Sequence, residues 1–186
     1  GLQFVKRISN TYCEYPIIVK DGHEIWLGEN TQLILEDGKV AAFQSVARDI
    51  TDRKRIEEAL RESEEKYRNI LENIEEGYYE VDLAGNFTFF NSSLCRILGY
   101  PKEEMAGLNS KVYMDAVNAK KVFRAFNEVY VTGIPIKGLE SEIIRKDGTR
   151  AYNEDSVSLI ARPGEKPTGF RGITRDVTER KRSEGA

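Results

Sequence analysis

The side chains that most often carry chemistry are scarce in this chain of 186 residues, which has one histidine and two cysteines. His23 follows Lys20-Asp21-Gly22, while Cys13 and Cys95 stand far apart without C-x-x-C spacing. That pattern makes neither a zinc site nor a disulfide framework. A nucleophile needs a base within reach and a third group to orient it, and neither cysteine has a histidine nearby in sequence. Gly85, Gly99, Gly107, Gly133 and Gly148 are scattered turn residues that form no phosphate-cradling loop. Two carboxylates remain, Glu142 and Asp155. Either one, held in a cleft with a strongly raised pKa, would suit a small acid–base catalyst. Without a nucleophile–base set we expect no catalytic residue and no metal.

The elements that must position any site show an internal repeat. "KDGHEIWLGENTQLILEDGKVAAFQSVARDITDRKR" runs from Lys20 to Arg55, and "KDGTRAYNEDSVSLIARPGEKPTGFRGITRDVTERKR" from Lys146 to Arg182. Self-similarity at so long an offset signals two copies of one domain-sized unit. The second copy has a long stretch before its Lys-Asp-Gly and the first only about twenty residues, so we expect the first to be the tail of a unit whose front is missing. Each copy reads as an Asp-Gly hairpin followed by a last strand. In the first copy, Phe4, Ile17, Val19, Ile25, Leu27, Leu33, Leu35, Phe43 and Val46 form apolar strands without helices to cover them, and so small a sheet is marginal alone. They are expected to pack on another copy, on the linker helix or on the second unit.

"TDRKRIEEALRESEEKYRNILENIEE" lies between the copies and is rich in helix formers. Thr51 is placed to cap it and Gly77 to end it. Ile56, Leu60, Ser63, Tyr67, Ile70 and Ile74 alternate four and three apart. This seam fits a parallel coiled coil between two chains, or a stripe packed on a neighbouring sheet. Two strands follow in "GYYEVDLAGNFTFFNSS", the first through the alternating Tyr79, Val81 and Leu83, the second from Phe87 to Phe90 after a turn at Ala84-Gly85-Asn86, then short helices opened by Asn91 and by Pro101. A longer helix is capped by Asp115 and stopped by Gly133, and three strands complete the order. Strands, helices, then strands make an α+β domain, an antiparallel sheet with helices on one face.

From Ser63 to Arg182 the chain resembles a PAS domain, the sensory module of bacterial signalling proteins. The matching pieces are "SEEKYRNILENIEEGYYEVDLAGNFTFFN", "LCRILGYPKEEMAG", "RKDGTRAY" and "GITRDVTERKR". The resemblance implies a five-stranded antiparallel sheet flanked by helices, with a pocket between them. It divides the chain into a partial PAS unit at 1–51, a linker or signalling helix at 52–76, a complete PAS domain at 77–178 and the start of an outgoing helix at 179–186. In this family a signal leaves through the helix after a closing Asp-x-Thr. Asp49 and Thr51, and Asp176 and Thr178, fit that junction, and each threonine hydroxyl is expected to accept from free helical amides. The haem-binding branch uses a helical histidine, whereas His23 follows a turn. The flavin branch uses an "NCRFLQ" cysteine, whereas "LCRIL" around Cys95 lacks its Asn and Gln. We therefore expect neither haem nor flavin, and a free thiol at Cys95.

The inner sheet face and helices should line the pocket. Candidates are Tyr79, Phe89, Leu94, Leu98, Tyr113, Phe126, Ile143 and Tyr152, with Asn91, Glu142 and Asn153 as polar groups. Regular aromatic stripes usually mean core, so the sequence favours a filled core over room for an unknown small ligand. A net charge of −3 argues against nucleic acid, and no apolar run reaches the ~20 residues that span a bilayer. The expected function is that of a cytoplasmic, homodimeric sensory segment of a larger protein. Its output domain, a histidine kinase or a diguanylate cyclase, would lie beyond this chain. The alternatives are a structural dimerisation spacer and, less favoured, a small α+β enzyme.

Overall fold

A computed structural model describes residues 10–184, in two compact units that divide between Lys66 and Tyr67. In the first unit, β1 (Asn10–Ile18), β2 (Glu24–Glu36) and β3 (Lys39–Asp49) form an antiparallel sheet in that order. Asp37 and Gly38 both take positive φ, 51° and 75°, the conformation a tight hairpin requires and Asp-Gly tolerates. Every residue of β3 is exposed. Tyr12, Ile18, Leu35, Phe43 and Val46 are all more than half exposed. Of the positions expected to need a cover, Leu35, Phe43 and Val46 are thus exposed, while Ile17, Val19, Ile25, Leu27 and Leu33 are half-buried. Phe4, one of the positions expected to need a cover, lies outside the described residues.

Helix α1 (Thr51–Asn73) follows at once. It ends three residues earlier than Gly77 suggests: Asn73 turns its amide back onto the Asn69 carbonyl at 2.7 Å, and Gly77 instead opens β4 (Gly77–Asp82). Glycine is needed at Gly77 for closeness, since a Cβ there would meet Thr174 at 2.8 Å and Leu94 at 2.9 Å. The heptad residues Ile56, Leu60, Tyr67 and Ile70 are exposed, with Ser63 and Ile74 half-buried.

The second unit continues with β5 (Phe87–Phe90), α2 (Ser92–Leu98), α3 (Lys102–Met105), a 3₁₀ turn at Ser110–Val112 and α4 (Ala116–Thr132). Strands β6 (Ile136–Ile144), β7 (Arg150–Ile160) and β8 (Gly169–Asp176) lead into α5 (Thr178–Glu184). The five strands pair antiparallel in the order β5-β4-β8-β7-β6, so the α+β expectation holds. Local chemistry sets the helix ends. Asn91 and Asp115 accept from the amides of Leu94 and Asn118, each satisfying a free helical N–H. Gly99 and Gly133 close α2 and α4 in the left-handed conformation. Pro101 stands one residue before α3 rather than inside it. Leu94, Leu98, Met105, Val129 and Ile143 form the driest part of the core.

Strand parity decides which side chains face that core. On β7, Ala151, Asn153, Asp155 and Val157 point in. Tyr152 is therefore turned out, together with its register partner Glu142, which ion-pairs with Arg150 at 3.1 Å. Phe89 also lies outside, for a different reason. The pairing of β4 with β5 slips between Glu80 and Val81, and this bulge turns Phe87 and Phe90 inward. Phe89 is left against Tyr78, ring edge to face, at 5.8 Å.

Candidate functional site: an inner-face cavity and two clamped helix starts

Both strand-to-helix junctions are built alike. In the first unit Asp49 Oδ1 accepts from the Thr51 amide at 2.9 Å and from the Thr51 hydroxyl at 2.6 Å. The Thr51 oxygen in turn accepts the Trp26 N–H at 2.9 Å, and the Ile50 N–H donates to the Trp26 carbonyl at 2.8 Å. In the second unit Asp176 accepts from the Thr178 amide at 2.9 Å, and Thr178 Oγ1 accepts the Tyr152 N–H at 2.9 Å. Val177 N–H donates to the Tyr152 carbonyl at 2.8 Å. The aspartate is thus the cap. The threonine hydroxyl, expected to accept from helical amides, fastens the helix start to the adjacent strand instead. Tyr152, a pocket candidate by its aromatic character, serves this clamp through its backbone.

Charge reinforces the second junction. Burial raises the Asp176 carboxyl, but the Thr178 hydroxyl and amide and the Arg145 guanidinium outweigh it and hold the group below the usual range. Arg145 reaches Asp176 at 2.6 Å and also donates to the Ile97 carbonyl at 3.0 Å. The outgoing helix start is therefore joined through one side chain to α2.

Helix α1 is fastened at its other end. Asn91 donates to the carbonyls of Leu71 at 2.7 Å and Glu76 at 3.0 Å, while its oxygen accepts from Tyr78 and Leu94. The Ser93 hydroxyl donates to the Ile74 carbonyl, and Glu72 accepts from the Ser92 amide. Asn91, expected in the pocket, is spent entirely on this connection.

The core is not filled. A cavity of about 640 Å³ opens between the inner sheet face, α2 and α4, within the size range of small-molecule sites. Tyr79, Leu94, Leu98, Tyr113 and Phe126 line it, together with Phe87, Phe170, Asn153, Asp155 and Thr174. Phe89, Asn91, Glu142, Ile143 and Tyr152 do not. Ile143 is fully buried in the core beside it. Neither His23 nor Cys95 reaches this space. His23 is exposed on its hairpin and pairs with Asp21. The Cys95 thiol is half-buried against the Asn91 carbonyl, and burial raises its pKa.

Asp155 is the residue whose position sequence reasoning undervalued. It lies opposite Thr174 in the β7–β8 register and accepts from the Tyr79 hydroxyl at 3.2 Å. Burial pushes its carboxyl up to about 7, against the pull of the Thr174 and Tyr79 hydroxyls beside it. The Thr174 hydroxyl is close enough to act on the carboxyl, yet it forms no well-aligned hydrogen bond with it. Burial, and next the Asp155 charge, raises Tyr79 well above a normal phenol. The signal that could have found this cluster is Gly172. A Cβ there would meet the Tyr79 ring at 2.4 Å, so glycine lets the ring cross β8 and reach Asp155. Glycine inside a strand marks such close approaches.

A five-stranded antiparallel sheet with helices against one face and a ligand-sized cavity between them defines an α+β domain of PAS-like architecture. The chain belongs to the PAS family: the PAS fold model matches residues 65–177. It is 31% identical over 130 residues to the methyl sulfide methyltransferase-associated sensor of Methanosarcina acetivorans, covering 69% of this chain and 13% of that protein. It is 26% identical over 163 residues to the sensor protein FixL of Bradyrhizobium diazoefficiens, covering 86% of this chain and 32% of the relative. The PAS domain of a Colwellia psychrerythraea protein shares the fold at a TM-score of 0.57 and 19% identity, covering 62% of this chain and 97% of that one. The chain thus spans at most about a third of the length of these two relatives. Among the described residues no helix is long and apolar enough to cross a membrane.

Proposed function

We propose that this chain is a ligand-sensing PAS segment that passes occupancy of its cavity to the helices on either side. The observation that carries this reading is the connection of one wall to one exit. Helix α2 lines the cavity through Leu94 and Leu98, and its Ile97 carbonyl is tied through Arg145 to Asp176 at the start of α5. A packed helix start has few discrete arrangements, so a small shift of α2 can select between them. The exposed seam of Ile56, Leu60, Tyr67 and Ile70 is the surface through which two copies would pair in the cytoplasm. The output would be a histidine kinase, or a diguanylate cyclase, elsewhere in the same polypeptide. Asp155 has the raised pKa that a small enzyme would need. Its neighbours, however, are Tyr79, Asn153 and Thr174, a set suited to holding a ligand.

A native mass spectrum of the purified chain tests both halves of the proposal. A dimer carrying a reproducible small adduct is expected, and the adduct mass begins to identify the signal. A bare monomer at micromolar concentration overturns the pairing and leaves a PAS scaffold with no demonstrated ligand.

A further inference from the structure

The inner face of the sheet carries a polar row that the fold leaves incomplete. Ser141 on β6 lies opposite Asn153 on β7, and Asp155 on β7 lies opposite Thr174 on β8. All four are buried. Ser141 Oγ, Asn153 Oδ1 and Thr174 Oγ1 have no hydrogen-bond partner among the described residues. A buried polar atom without a partner is costly, and proteins leave few of them. Three on one patch of an otherwise apolar core point to a group that completes them.

Asn153 and Thr174, only 3% and 1% exposed, both line the cavity with Asp155 between them. At this end of the cavity the Asn153 carbonyl oxygen is unpaired among the described residues, and Asp155 accepts from the Tyr79 hydroxyl through one of its oxygens. The Thr174 hydroxyl can turn to either role. The remaining walls mix aliphatic side chains such as Leu94, Leu98 and Val122 with rings, among them Phe126 and Phe170 at 4.9 Å from each other.

We infer that the cavity takes a ring-bearing, largely apolar molecule whose N–H or O–H donor head seats against Asn153, Asp155 and Thr174. The inference rests on the ligand-sensing function proposed above and specifies the chemistry of its ligand. A donor at that end satisfies the Asn153 carbonyl, which no described residue reaches. A purely apolar molecule leaves the whole row unmet and one headed only by an acceptor leaves that carbonyl unmet, and sites built around buried polar groups reject such analogues strongly. Lys111 and Lys120 stand at the exposed mouth, so the ligand's far end can be polar or acidic without entering the dry part of the site.

Matched bicyclic probes decide the question: 2-naphthol and 2-naphthylmethylamine carry donors, 2-methoxynaphthalene carries only an acceptor, and naphthalene carries neither. Binding is read from the methyl resonances of Leu98, Met114 and Val122 in the full chain. The donor-bearing probes are expected to bind at least tenfold more tightly than the other two. Asp155→Leu and Thr174→Val should remove that difference while leaving naphthalene binding in place, which also shows that the variants still fold with an open cavity. Equal affinity for all four probes overturns the donor-head inference and leaves the ligand-sensing function standing. Failure of every probe to shift a cavity methyl overturns both.

Discussion

Phe43 and Phe170 each stand six residues before the closing aspartate of their copy of the repeat, Asp49 and Asp176. One is 58% exposed and the other 5%. The strands around them share the order β1-β2-β3 and β6-β7-β8, all antiparallel, and they end in the same clamp. What differs is the cover. Phe170 lies under α4, its ring 4.9 Å from that of Phe126, whereas β3 has every residue in solvent. Hairpin chemistry and the Asp-x-Thr junction are therefore enough to build the sheet and aim a helix. The helices inserted between β5 and β6 turn such a sheet into a domain with an interior. The contrast extends to the polar groups. Asp155 lies three residues after Tyr152, and Glu29 three after Trp26. Asp155 meets the Tyr79 hydroxyl in the core, whereas Glu29 accepts from Tyr15 on a partly exposed face.

Truncating the paired phenylalanines tests the contrast most strongly. Phe170→Ala removes a buried ring and is expected to destabilise the second unit by about 3–5 kcal/mol. Hydrogen exchange at the Val129 and Ile143 amides reads that loss in this unit alone. Phe43→Ala should change stability by no more than about 0.5 kcal/mol, as for other exposed positions. A loss at Phe43 comparable to that at Phe170 would show that the first sheet is covered in solution.

The acid in the core gives the next largest effect. Asp155 titrates near 7 in the fold and at its ordinary 3.8 when unfolded. Between these values the native state keeps a proton that the unfolded chain has lost. Native stability should therefore fall as pH rises from about 4 to about 7, and stay low above that range. The loss is on the order of 2–4 kcal/mol at 1.36 kcal/mol per unit. Asp155→Asn keeps the shape and removes the titration. The variant should match the parent near pH 4 and exceed it by that amount at pH 8, again read by exchange of the core amides. Parallel pH profiles for the two proteins would mean that the carboxyl is solvated in the native state.

Local chemistry made much of this legible in the sequence. The repeat, the Asp-Gly turn at Asp37, the caps at Asn91 and Asp115 and the left-handed glycines at Gly99 and Gly133 each depend on a few adjacent residues. Their positions follow from turn and cap preferences alone. What escaped depends on partners distant in sequence. Phe89 faces out because a bulge against β4 breaks its alternation. Glu142 and Ile143 are neighbours on β6, as Tyr152 and Asn153 are on β7, and neighbours on a strand face opposite sides, so in each pair only one candidate points into the core. Asn91 went to the end of α1, an arrangement visible only when Leu71 and Glu76 are brought beside it. Room for a cavity is not legible in sequence for a related reason. Aromatic side chains reveal burial from sequence, but whether facing layers close on one another depends on the placement of α2 and α4 over the sheet.

The smallest effect separates the clamp from its surroundings. Thr178→Val and Thr51→Val keep the side-chain shape and remove the oxygen that accepts the Tyr152 or Trp26 amide. Each should cost about 1 kcal/mol, seen as a roughly fivefold to tenfold faster exchange of that one amide. Cover differs greatly between the units while clamp geometry is nearly identical, at 2.9 Å in both. Equal losses at the two sites would establish the clamp as an autonomous device that works on any sheet. A loss confined to Thr178 would mean that the clamp needs a packed domain behind it, so that only the second junction can hold α5 firmly enough to transmit a change in the cavity. Arg145 offers the physical route for that dependence, because it reaches Asp176 and the Ile97 carbonyl together. Arg145→Met should then weaken the Tyr152 amide as Thr178→Val does, without altering Trp26.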